Sequence, residues 1–112
     1  MSLYRAGSGS GGGGQKVVVE GLLTNGFGGA AQFTISGITN IESIVIEEGK
    51  LPDASNPSYM SVSTKIDGVV YSVMKMMVSY PNYSKVTDIS GNVVSMSSNP
   101  SCGKLYYRAI GT

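Results

Sequence analysis

Alternation of apolar and polar positions with a period of two runs along most of this chain, and it predicts strands. In AAQFTISG, Phe33 and Ile35 point one way while Gln32, Thr34 and Ser36 point the other, the pattern of a half-buried strand. IESIVIEE repeats it, with Ile44 and Ile46 on one face and Ser43, Val45 and Glu47 on the other. KLYYRAIGT sets Leu105, Tyr107 and Ala109 against Tyr106, Arg108 and Ile110.

Turn residues divide these runs. QKVVVEGLLT is β-branched and apolar, and Asn25, Gly26, Gly28 and Gly29 after it accept positive φ angles, so a hairpin into AAQFTISG is expected. The strongest hairpin signal is Asp67-Gly68, between YMSVSTKI and VVYSVMKMMVSY. VMKMMV contains good helix formers, but Val69, Val70, Tyr71, Val73 and Val78 favour a strand starting at that turn. Met74 and Met76 share one of its faces and Met77 takes the other, which predicts cover on both faces for part of its length. Pro81, Gly91, Asn92, Asn99, Pro100 and Gly103 then punctuate short strands around residues 85–89 and 92–96. The expected fold is all-β: an antiparallel β-sandwich or small barrel of about seven strands, over residues 15–112.

Residues 1–14 have a different texture and read as an extended glycine-rich N-terminal arm. Gly7, Gly9, Gly11, Gly12, Gly13 and Gly14, broken only by two serines, offer no side chain that buries apolar area. Holding this run in place would cost on the order of 10 kcal/mol of backbone entropy, so a fixed arm implies a neighbouring subunit that grips it. Leu3, Tyr4 and Arg5 would then be the anchor. Fourteen extended residues reach up to about 50 Å, enough to cross to another protomer.

Composition narrows the function. A length of 112 residues suits one domain, and a charged share of 13% is about half the usual one. Eight basic residues nearly cancel seven acidic ones and are scattered singly, which argues against direct contact with nucleic acid. No apolar run approaches a membrane span and the start lacks the stretch of a secretion signal, so synthesis in the cytoplasm and no membrane partner are expected.

There is no histidine, so Ser-His and Cys-His nucleophile pairs and imidazole-bound metals are absent from the repertoire. Glu47 and Glu48 adjoin, and in a strand they point to opposite faces, unable to share a substrate. The glycine run lacks the lysine and the flanking strand and helix of a phosphate loop. Asp88, Ser90 and Asn92 read as a turn rather than a cation site. The single cysteine, Cys102, reads as a loop or half-buried residue. A noncatalytic protein without cofactor or metal is the expectation.

Seven tyrosines without tryptophan leave one binding motif. Tyr59, Tyr80 and Tyr83 flank loops, and SYPNYS could present two rings at a tip of the kind that binds sugars or protein partners.

The glycine-rich arm, FTISGITNIESIVI and the closing GKLYYRAIGT together resemble small virion proteins of tailed bacteriophages, the β-sandwich domains of tails, fibres and head decoration. The resemblance implies a structural component of the virion, made in the bacterial host cytoplasm, that forms a homo-oligomer and contacts other virion proteins through its arm. The alternative is an adhesin that binds a receptor or host-surface glycan through Tyr59, Tyr80 and Tyr83.

Overall fold

Alternation becomes eight strands in two antiparallel sheets. A computed structural model describes residues 15–48, 59–76, 83–99 and 102–112, so the expected arm lies outside the described residues. The strands are β1 (Val17–Thr24), β2 (Gly29–Thr34), β3 (Ile41–Glu48), β4 (Tyr59–Ile66), β5 (Val69–Met76), β6 (Tyr83–Ser90), β7 (Val93–Asn99) and β8 (Leu105–Gly111). A five-stranded sheet has the order β1-β8-β3-β4-β5, and a three-stranded sheet the order β2-β7-β6. No helix occurs among the described residues.

Two of the turns close hairpins. Asp67 and Gly68 have φ of 51° and 81°, both positive, as a two-residue turn matching the strand twist requires, and Ile66 pairs with Val69 across it. Gly91 and Asn92 close β6 onto β7, with Ser90 opposite Val93, and there only Gly91 has a positive φ, of 60°.

The hairpin expected at Asn25 to Gly29 does not form. β1 pairs with β8 and β2 with β7, so this segment carries the chain from one sheet to the other. Its glycines permit a reversal without requiring a ladder, and pairing with β8 puts Val17 and Val19 against the core. The crossing is fastened by the Cys102 N–H, which donates to the Phe27 carbonyl at 2.9 Å, and by an edge-to-face contact of the Phe27 and Phe33 rings, centroids 5.4 Å apart. FTISGITNIESIVI is likewise divided, Phe33 lying in the smaller sheet and Ile44 in the larger.

The two sheets share one core. Ile44, Ile46, Leu105 and Ala109 come from the larger sheet, and Val86, Ile89, Val94 and Met96 from the smaller. Ile35 and Ile38 add to it from the connection between β2 and β3, and Ile41 from the start of β3. Burying each of the larger of these side chains contributes roughly 1.5–3 kcal/mol.

Beneath β4 and β5 the inner face changes character. Register places Ser63 beside Ile44 and Ser61 beside Ile46, and both serines are buried. Ser63 and Ser72 share a hydrogen bond of 2.7 Å, and Ser84 donates to Ser98 at 3.1 Å within the smaller sheet. The Lys65 ammonium joins the sheets, donating to Asp88 at 3.2 Å and to the Ile89 carbonyl. Ser61 Oγ is buried and has no partner among the described residues. Ser61→Ala removes that hydroxyl at almost no loss of volume, and should raise stability by up to about 1 kcal/mol in urea unfolding.

The cover expected on both faces of β5 is not found among the described residues. Neighbouring Val73 and Met74, on opposite faces, are 74% and 42% exposed. β6 of the smaller sheet approaches β4 and β5 on the inner side, yet Met74 there stays exposed.

Candidate functional site

Partners across a ladder share a face, so the registers define the outer surface of the five-stranded sheet row by row. One row is Val18, Ile110, Ser43, Thr64 and Tyr71. The next is Glu20, Arg108, Val45, Val62 and Val73, and a third begins Leu22, Tyr106, Glu47 and Met60. Ile66 and Val69 extend the surface towards the Asp67-Gly68 turn.

This face is apolar. Nine large hydrophobic residues are exposed among those described, and all but Met74 lie on it, so the exposure is collected rather than scattered. The outer face of the smaller sheet is the opposite in kind, with Gln32, Ser95 and Asp88 in one row and Ala30, Ser97 and Lys85 in another. Gln32 Nε2 donates to Ser95 Oγ at 3.3 Å there.

β4 and β5 explain the contrast. In β4 the buried serines Ser61 and Ser63 face inward while Val62 and Ile66 face out, and in β5 Val69, Tyr71 and Val73 face out, with Val70, Ser72 and Met74 on the other side. An antiparallel sheet with one solvated face ordinarily has the reverse arrangement.

The charges on the surface are grouped. Arg108 Nε donates to Glu20 Oε1 at 2.7 Å, in an exposed ion pair worth little to stability. The guanidinium is held above its ordinary pKa by the hydrogen bond to Glu20 and then by the charge of Glu20, with a smaller contribution from Glu47. Between these groups, over the short Val45 side chain, lies an open depression of about 310 Å³ that Tyr106 also lines. Its chemistry is that of a seat for an apolar group with polar edges.

The residues singled out in the sequence are placed as follows. Leu3, Tyr4, Arg5 and the glycines of residues 7–14 lie outside the described residues, as does Tyr80. Tyr59 and Tyr83 begin β4 and β6, but their side chains are also outside the described set. Glu47 lies on the outer face, whereas Glu48 accepts the Gly103 N–H at 2.7 Å. Asp88 pairs with Lys65, and Asn92 donates to the Ile35 carbonyl at 3.0 Å. Cys102 is half-buried in the segment before β8. No group of three or more metal-ligating side chains occurs among the described residues.

Sequence reasoning missed the apolar face. Its signal was the alternation in YMSVSTKI and VVYSV, which separates two faces without saying which is inner. Comparison of the chain with family models, with curated proteins and with solved structures finds no match.

Proposed function

We propose that this chain is a noncatalytic structural component of a bacteriophage virion, its two sheets packed as a β-sandwich, and that it assembles through residues 1–14 and through its strand surfaces. The observation that carries the reading is the reversed polarity of β4, with Val62 and Ile66 turned to the outside and the buried Ser61 and Ser63 to the inside, continued by the exposed Val69, Tyr71 and Val73 on the outer side of β5. A domain that works alone gains nothing from that arrangement; one that completes its core by association does. The glycine run before β1 supports the same reading, since backbone without side chains fits a narrow groove between packed subunits.

Limited proteolysis of the isolated chain and of purified particles tests it. Trypsin, which cuts after Arg5 and Lys16, should remove the arm from the isolated chain and be markedly slowed in particles that contain the protein at fixed stoichiometry. Absence from the particle, or an arm equally resistant in a proven monomer, overturns the reading.

A further inference from the structure

We propose that the outer face of the five-stranded sheet is buried against the same kind of face on a second copy of this chain. The inference rests on the assembly reading above and names the surface and its partner.

Area is the first argument. Five strands about 4.8 Å apart, each about 8 residues long at roughly 3.3 Å per residue, make a surface of roughly 600 Å² in projection. With side-chain relief, that approaches the ~800 Å² per partner that a specific interface buries. The whole sheet is the right size, and no extension of it is needed.

Charge and shape select a copy as the occupant. Arg108 is already engaged by Glu20 and lies near Glu47, so the surface does not call for a strongly charged partner. Val62 and Val73 continue the same row as a wholly apolar half. Sheets stacked face to face match when both carry the same twist, and a second copy guarantees that match. The arrangement also gives β5 the cover on its outer side that the three-stranded sheet cannot provide.

Sedimentation of the full chain from about 1 to about 100 µM tests the proposal. The unaltered chain should self-associate, and the double variant Val62→Lys, Val73→Lys should weaken association at least about a hundredfold, because two ammonium groups would be desolvated without partners. Both positions are exposed, and unchanged circular dichroism and thermal unfolding of the dilute variant would show that its fold is intact. Leu22→Lys, at the far side of the sheet, should weaken association too, while Gln32→Lys, on the polar face of the other sheet, should leave it unchanged. Association of the double variant equal to that of the unaltered chain overturns this interface and leaves assembly through other surfaces standing. An unaltered chain that stays monomeric throughout, in particles as well as in solution, overturns both.

Discussion

Gly111→Ala is expected to cost about 3 kcal/mol or more, enough to leave a domain of this size largely unfolded at moderate temperature. A Cβ at position 111 would lie 1.8 Å from the Asn40 carbonyl oxygen, 2.9 Å from its carbon and 3.0 Å from Ile41 Cα. All three are backbone atoms, so no side chain can swing aside. The crowding has a structural cause: β3 departs from regular register between Ile41 and Ser43, and the adjacent Thr112 N–H donates to that same Asn40 carbonyl at 2.9 Å. Relieving the clash would pull apart the start of β3 and the end of β8 together. Gly21→Ala is the control, because its Cβ would meet the Tyr107 ring at an ordinary 3.6 Å, and its effect should stay within about 1 kcal/mol. Urea unfolding of the two variants should separate them clearly, and equal midpoints would show that the approach of β8 to Asn40 is looser than described.

Ile46→Ala is the second large effect, expected at about 3 to 4 kcal/mol in the same measurement. Ile46 is fully buried in the middle of the central strand of the larger sheet. Its flanking partners in register are Tyr107 and Ser61. With β8 on one side and β4 on the other, transfer and cavity costs should both be felt. Val62→Ala, one strand away on the outer face, should change the dilute chain by less than about 0.5 kcal/mol. If the two substitutions cost the same, the assignment of inner and outer faces is wrong.

Much of this architecture could be read from residues alone. Ile44 and Ile46, and Leu105 with Ala109, announced their strands and their shared faces, because apolar residues two apart have one energetically acceptable direction when the opposite positions are polar, whereas Ile35 is buried just past the end of the strand that holds Phe33. Asp67-Gly68 announced its hairpin, because few other pairs accept two positive φ angles. Pairing between distant strands was hidden. Alternation records which way a side chain points and carries no information about which strand lies alongside, so β1 with β8 could not be distinguished from β1 with β2, and the local turn residues favoured the wrong partner.

The candidate surface was hidden for a related reason. Val62 and Val73 look like core residues until register sets Ser61 and Ser63 against Ile46 and Ile44. The methionines and valines of β5 predicted cover on both sides of the strand, whereas Val73 and Met74 are exposed on opposite faces.

The position of β8 carries a consequence for biogenesis. It lies between β1 and β3, with Val17 opposite Gly111, so neither neighbour can complete its ladder until the ribosome has made residues 105–111. Contacts so far apart in the chain make for slow closure, and until then a nascent polypeptide presents two open β edges that can capture other strands. Rapid accumulation of half-synthesised copies would therefore be hazardous, and a slow rate of initiation, or a chaperone waiting at the tunnel exit, would favour recovery of the finished protein.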